Sequence, residues 1–221
     1  MGTTIEAVKK KYNKPGNVRK ALNVVALWAP MTTSVPDAIT EAGGVLKELS
    51  EEWVPMGTFT TDGATISTDV TVDDVEALGY AEPVRSDLTK ASKTVKLSVF
   101  ELATKGMQEL IYGVDLSQVK ADKTTGEVVF DESLLPVMRE VRLLVISADG
   151  PVDEEWLMGW CFPRVKLSSF PEIGLKASDP ISGELEFKTF SDETLGTSAR
   201  HYLGGSGMIR HRDITGFPVA V

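Results

Sequence analysis

Apolar and polar side chains alternate along much of this chain, and the alternation predicts β-strands. Residues 94–100 (TVKLSVF) place Val95, Leu97 and Val99 on one side of a strand, and residues 184–190 (ELEFKTF) repeat the pattern. Residues 141–147 (VRLLVIS) are apolar almost throughout, which is typical of a strand covered on both faces. Further strands are predicted at residues 23–29, 64–72, 126–130 and 155–170.

One helix is predicted, over residues 101–113 (ELATKGMQELIYG), where Gly113 stands at the position of a C-terminal cap. Its apolar face would hold Leu102, Met107, Leu110 and Ile111. Gly106 opposes the helix by about 1 kcal/mol relative to alanine. A hairpin turn is predicted at residues 122–127, and two glycines interrupt a weaker helical pattern in residues 36–53. Together these patterns predict an antiparallel β domain with one helix and long loops.

Charge is unevenly distributed along the sequence. The net charge of −9 gives the chain as a whole no electrostatic reason to bind nucleic acid. The first twenty residues are nevertheless basic, the middle is acidic, and residues 200–212 are basic again. Basic ends around an acidic body could bind an anionic ligand or the acidic body of a neighbouring copy. No apolar run approaches the roughly 20 residues of a membrane span, and Asn23 and Trp28 argue against a signal peptide.

Residues that could perform chemistry are sparse. One cysteine (Cys161) and two histidines (His201 and His211) do not make a zinc site, and both histidines are interpreted as solvated tail residues. Residues 204–207 (GGSG) lack the strand and helix of a phosphate loop and are interpreted as a flexible joint. Acidic pairs at residues 51–52 and 73–74 could support hydrolysis, but such pairs are common in an acidic protein. We therefore expect no catalysis, no metal and no cofactor.

The order of several motifs resembles the major tail proteins, or tail tube proteins, of long-tailed (siphovirus-type) bacteriophages. The resembling segments cover roughly residues 25–205. They are LWAPMTTSVPDAI (27–39), a W-x-x-x-G-x-x-x-x-D-G element in WVPMGTFTTDGATIS (53–67), the long run from 75 to 113, and the closing strands from 161 to 196. Each motif is loose by itself, so the resemblance rests on their order and spacing.

The resemblance implies two packed antiparallel sheets, as a β-sandwich or barrel, with one flanking helix. We accordingly divide the chain into a basic N-terminal arm (1–24), which carries no family signature, a tail-tube β domain (25–203) and a C-terminal arm (204–221). The resemblance implies homohexameric rings that stack into a virion tail tube, made in the host cytoplasm before assembly, through which DNA passes without specific binding. A tape-measure protein, a tail terminator and distal tail or baseplate proteins would be partners, with no membrane and no enzymatic activity.

Two groups of residues are candidates for roles in such a tube. The polar strand positions Asp69, Glu184, Glu186 and Lys188 are candidates to face the lumen. Candidates for contacts between subunits are basic arm residues and two apolar residues: Lys9, Lys10, Lys11, Arg19, Trp53, Met56, Arg200, Arg210 and Arg212. We also hypothesise that the basic arms reach acidic surface on an adjacent ring.

Other functions remain open at this stage. A tube subunit of a phage-like bacterial device, such as a tailed bacteriocin or secretion tube, would share the fold and the stacking logic. A monomeric ligand-binding β-sandwich could use the four tryptophans, Trp28, Trp53, Trp156 and Trp160, as a stacking platform. An unrecognised hydrolase would use the acidic pairs.

Overall fold

The computed structural model describes residues 4–135 and 137–219, and it is mainly β. The termini of the two predicted arms, residues 1–3 and 220–221, and Pro136 lie outside the described residues. The strands are β1 (Asn23–Pro30), β2 (Val54–Pro55), β3 (Phe59–Val75), β4 (Arg85–Val99), β5 (Glu140–Asp149), β6 (Trp156–Leu167), β7 (Gly183–Thr189) and β8 (Arg200–Gly204). The helices are α1 (Ile5–Tyr12), α2 (Lys105–Tyr112), α3 (Ser206–Arg210) and α4 (Arg212–Thr215).

All eight strands belong to one antiparallel sheet in the order β2-β1-β5-β6-β7-β4-β3, with β8 paired to β6. The predicted antiparallel β fold with a flanking helix is confirmed, and its strands share one hydrogen-bonded sheet. The sheet path is open within the described residues, because it starts at β2 and ends at β3. Those two edges are very unequal, since β2 has two residues and β3 has seventeen.

The core lies on both sides of β5, as the continuous apolar run predicted. Leu143 and Val145 enter one buried cluster, which includes strands β4 and β7 and helix α2. Leu144 and Ile146 enter a second cluster on the opposite face of the sheet. Trp53, from the loop between β1 and β2, helps to cover this second cluster. The loop covers only part of that face.

Helix α2 is the predicted helix, shortened at its start. It begins after Thr104 and ends at Gly113, whose φ of 65° confirms the predicted left-handed cap. Leu102 precedes the helix but is still buried in the first cluster. Gly106 has a packing role, because a Cβ atom there would lie 2.4 Å from Cγ1 of Val54. The glycine that weakens the helix thus allows it to approach β2 closely.

One strand prediction in the loops is wrong. Residues 126–130 form no strand, although the turn before them is present, with the Gly126 N–H donating to the Asp122 carbonyl at 2.9 Å. Phe130 packs near the ring of Tyr112 in α2 (6.2 Å between centroids), so side-chain packing rather than strand pairing holds this segment. Residues 36–53 form no helix, because Gly43 and Gly44 turn the chain at φ values of 85° and 76°.

The terminal segments are more structured than the sequence indicated. Helix α1 was not predicted; Thr4 caps it by accepting from the Ala7 N–H. Residues 204–207 are not a flexible joint, because they end β8 and begin α3, and Gly207 lies against Trp156, where a Cβ would meet the indole at 2.4 Å. His211 is hydrogen bonded to Glu154 at 2.6 Å and is not merely solvated.

Candidate functional site

One face of the sheet is polar across strands β3, β4, β7 and the end of β6. The register places Lys96 opposite Glu186, Ser98 opposite Glu184 and Thr94 opposite Lys188. Asp69 lies opposite Ser92 in the β3–β4 pair. Ser92 points to the same side of β4 as Thr94 and Lys96. Directly paired residues of antiparallel strands point to the same face. The four predicted lumen candidates (Asp69, Glu184, Glu186 and Lys188) therefore share one surface, which we call the polar face.

Ion pairs between neighbouring strands organise the polar face. Lys96 Nζ lies 3.0 Å from Glu184 Oε1 and 3.2 Å from Glu186 Oε2. Hydrogen bonds to these two carboxylates raise the pKa of Lys96. A hydrogen bond from the Ser168 hydroxyl, and to a smaller extent one from Lys96, lowers the pKa of Glu186. The lysine is therefore held charged between the two acids.

A second pair extends this arrangement towards β5. Arg164 donates to both carboxylate oxygens of Glu140 at 2.9 Å, and these bonds lower the pKa of the carboxyl. The register continues the same surface, since Glu140 lies opposite Lys166 and Lys166 opposite Lys188. This part of the face thus carries both acidic and basic groups, with Lys166 and Lys188 side by side. Several of its acids are paired with bases.

Strands β3 and β4 continue beyond the body of the protein as a two-stranded hairpin. Strand β4 pairs with β7 only from Thr94 to Val99, so its preceding half pairs with β3 alone among the described strands. Register alternation places Val70, Val72 and Leu88 on the same side as Ile66, which packs on the first buried cluster. These three side chains are nevertheless 57%, 47% and 64% exposed. The hairpin thus carries the core-facing side of the sheet out into solvent.

The tip of the hairpin is apolar as well. Leu78 is fully exposed and Tyr80 is 72% exposed, with Val75 and Val84 beside them. Scattered apolar side chains are normal on a protein surface, but a contiguous exposed group indicates a binding surface. We call residues 68–92 the projecting hairpin.

Two of the residues predicted to contact other subunits do not lie on the surface. Met56 is fully buried in the first cluster, and Trp53 is 5% exposed in the second. The W-x-x-x-G-x-x-x-x-D-G element therefore packs its own protomer. Its Asp62-Gly63 end lies within β3, where Gly63 has a φ of 63° at an irregularity in the pairing with β4.

The basic candidates divide into paired and exposed residues. Arg200 donates to Asp37 Oδ1 at 3.0 Å, and Arg210 lies 3.5 Å from Glu154 Oε1. Arg19 lies over the Trp156 ring. These three arginines bind within their own protomer. The other four candidates, Lys9, Lys10, Lys11 and Arg212, are exposed.

The residues considered for chemistry do not converge. Asp73 and Asp74 are consecutive in β3 and point to opposite faces, and Glu51 and Glu52 are exposed in a turn. Burial raises the pKa of Cys161 to about 12, which makes its thiol unreactive. Trp28, Trp53 and Trp156 are buried and form no open stacking platform. No group of three potential metal ligands occurs within residues 4–135 and 137–219.

Sequence reasoning missed Lys96, Arg164 and Glu140. The signal for Lys96 was present, because the alternation in residues 94–100 places it between Val95 and Leu97 on the polar side. Nothing in one sequence could show that β4 pairs with β7, which is what brings Lys96 between Glu184 and Glu186. None of the described helices is long and apolar enough to cross a membrane.

The chain was compared with family models, curated sequences and solved structures. No protein-family model matches the chain. No curated protein sequence matches it. The chain is similar to one in the cryo-electron microscopy structure of an extracellular contractile injection system, the PVC sheath–tube complex in its extended state. The two are 11% identical with a TM-score of 0.41, over 92% of this chain and 99% of the other.

Proposed function

We propose that this protein is a non-catalytic structural subunit that associates with copies of itself into hexameric rings, which stack as a virion tail tube for DNA delivery. The sequence resemblance to tail tube proteins supports the proposal. The geometry adds a surface suited to self-association and a second surface suited to lining a channel. The same assembly would serve a phage tail or a phage-like bacterial device.

The projecting hairpin carries the proposal. Its two outer backbone edges are not paired by the described strands, and its apolar side is exposed. Unpaired edges and exposed apolar strands favour uncontrolled association unless a specific partner covers them. A ring of identical subunits supplies such a partner, since each hairpin can pair with the next copy until the ring closes. The side of the hairpin that carries Val70, Val72 and Leu88 would then be buried by the next copy. The same side of the sheet is already buried at Val95, within the first cluster.

The polar face suits the inside of such a ring. Phosphates of DNA bind to unpaired lysines and arginines, and each such contact adds to the affinity for the duplex. On the polar face, Lys96 and Arg164 are neutralised by carboxylates of neighbouring strands. DNA would therefore meet a hydrated surface on which two of the positive charges, Lys96 and Arg164, are already paired with carboxylates. In this proposal a tape-measure protein, a tail terminator and distal tail or baseplate proteins would complete the particle.

Negative-stain electron microscopy and light scattering over a range of protein concentrations test the proposal. We expect rings or tubes that increase with concentration. Val72→Lys, on the apolar side of the projecting hairpin, should prevent them by placing a charge in the proposed contact. Thr71→Lys is the matched control on the opposite side and should still assemble. Wild-type protein that stays monomeric at every concentration would overturn the proposal.

A further inference from the structure

Helix α1 presents an apolar stripe that its own protomer leaves largely exposed. Ile5, Val8 and Tyr12 are spaced by three and four residues and fall on one side of the helix. No residue of α1 is buried, and Ile5 and Tyr12 are 75% and 66% exposed. A helix of eight residues is marginal in water without tertiary contacts. Packing of the stripe on another apolar surface would therefore stabilise the helix.

The lysines of α1 are placed around this stripe. At 100° per residue, Lys9 and Lys11 flank the stripe on its two sides, and Lys10 points away from it. A surface that accepts the stripe would therefore meet two positive charges at its margins. Such a surface should be apolar in the middle and acidic along its edges.

A groove of this description lies on the face of β1, β5 and β6 that carries the second buried cluster. Its volume is about 400 Å³, and it is lined by Val25, Leu27, Ile146, Leu157, Leu46 and Leu49. Val25 is 50% and Leu46 45% exposed, so part of the apolar lining faces solvent. We call it the β1 groove. From Asn23 to Leu27 it runs along about 13 Å of strand. The stripe from Ile5 to Tyr12 is about 10.5 Å long and fits within this length.

The margin of the β1 groove is acidic. Glu155 is one of its lining residues, and Glu48 lies between two others, Lys47 and Leu49. Glu41 and Glu51 are exposed in the same connection between β1 and β2. These carboxylates complement the lysines of α1, despite the single positive charge of Lys47.

The segment that follows α1 is held on the other side of the sheet. The chain following α1 is anchored where Arg19 lies over Trp156 and the Lys20 N–H donates to Asp149 Oδ2 at 3.1 Å. Ala148 and Leu157 line the β1 groove, whereas their strand neighbours Asp149 and Trp156 point to the opposite face. The anchor thus lies on the face opposite the groove, which favours a second copy as the occupant of the groove.

We propose that α1 of one copy docks in the β1 groove of a second copy, with its apolar stripe inward and Lys9 and Lys11 near the acidic margin. This inference rests on the proposed self-association, because it names one contact that would join the copies. The basic N-terminal segment would thus have a defined role, in which its helix binds the groove of another copy.

Cross-linking between two singly substituted full-length proteins tests this contact. Val8→Cys in the stripe is mixed with tagged Val25→Cys in the groove, and a short bifunctional thiol reagent is added. Any linked product of mixed mass must join two different chains. The native Cys161 is fully buried and should not compete. The matched control replaces Val8→Cys with Lys10→Cys, on the opposite side of α1.

We expect mixed product from Val8→Cys and little from Lys10→Cys, because docking holds position 8 against the groove lining and turns position 10 away from it. Equal yields, or no product in samples that form tubes, would refute the docking and leave the tube proposal standing. Linkage within one chain of the doubly substituted protein, in place of mixed product, would also refute it. Mixed product without rings or tubes would support the docking and count against the tube.

Discussion

The guanidinium of Arg19 lies over the indole of Trp156, with its central carbon 3.7 Å from the ring centroid. The imidazole of His211 stacks near the same indole, with ring planes only 10° apart. Trp156 is therefore contacted by side chains from both terminal segments of the chain. The contact explains why a predicted inter-subunit arginine is held within its own protomer, and it fixes the point from which α1 extends.

We predict that Arg19→Ala releases the segment that follows α1. A cation over an aromatic ring contributes about 0.5–2 kcal/mol, so the free energy of local opening should fall by an amount in that range. Hydrogen exchange at the Lys20 and Leu22 amides, whose acceptors are Asp149 and Ala148, measures this opening. Lys10→Ala in the exposed helix is the control and should leave those amides protected.

The close approach of α2 to β2 gives a second prediction. Gly106→Ala places a Cβ 2.4 Å from Val54 Cγ1, and overpacking of this kind costs about 1–3 kcal/mol of unfolding free energy. Higher helix propensity would return about 1 kcal/mol. We therefore expect net destabilisation in urea unfolding. In a protein that already carries Val54→Ala the clash is absent. Adding Gly106→Ala to that protein should therefore not lower its stability below that of Val54→Ala alone. A more stable Gly106→Ala protein would contradict the packing role.

Local patterns predicted the strands well and the loops poorly. The patterns in residues 94–100 and 141–147 correctly predicted β4 and β5. One or both faces of each strand are buried, and burial imposes a regular apolar pattern. Residues 126–130 have the same composition as a strand but pack through Phe130 on Tyr112, and no local pattern distinguishes these outcomes. Helix α1 was missed because its apolar stripe has only three members among lysines.

The thiol of Cys161 should be almost inert in the folded protein. Burial raises its pKa to about 12, so the reactive thiolate is scarce at pH 8, and the side chain is fully covered. A colorimetric thiol reagent should react slowly with native protein and rapidly in denaturant. Because the folded pKa lies above the unfolded value, this group stabilises the fold less as pH rises above about 8.5. Rapid reaction of native protein would show that the core around β6 opens readily.

Glu101 should link stability to acid pH. Its carboxylate accepts from the N–H of Thr58 at 2.9 Å and from the Thr58 hydroxyl at 2.5 Å, and these bonds lower its pKa. A depressed folded pKa stabilises the protein above the unfolded pKa of about 4.3, and the effect is lost as pH falls through the folded value. Glu101→Gln should therefore reduce stability at pH 7 and lose this deficit at low pH. Denaturant unfolding across pH measures it, with exposed Glu51→Gln as control.

The polar face illustrates the limit of sequence reasoning about the site. Alternation identified Glu184, Glu186 and Lys188 as one side of β7, and the register confirms that these residues and Asp69 share a face. The balance of charge on that face depends on Lys96 and Arg164, which come from neighbouring strands. Strand order is set by contacts between distant residues, so the pairing became visible only with the fold.

Size-dependent labelling can determine which way the polar face points in an assembly. In unassembled protein, Glu184→Cys lies on an exposed strand position and should react with both a small maleimide and a bulky polymer maleimide. If the polar face lines a channel, tubes of this variant should admit the small reagent and exclude the polymer. Lys123→Cys, in the exposed turn on a different segment, provides the comparison and should react with both reagents when that turn lies on the outside. Polymer labelling of Glu184→Cys in intact tubes at the rate of free protein would place the polar face on the outer surface, and the ion pairs of Lys96 would then have no role in the passage of DNA.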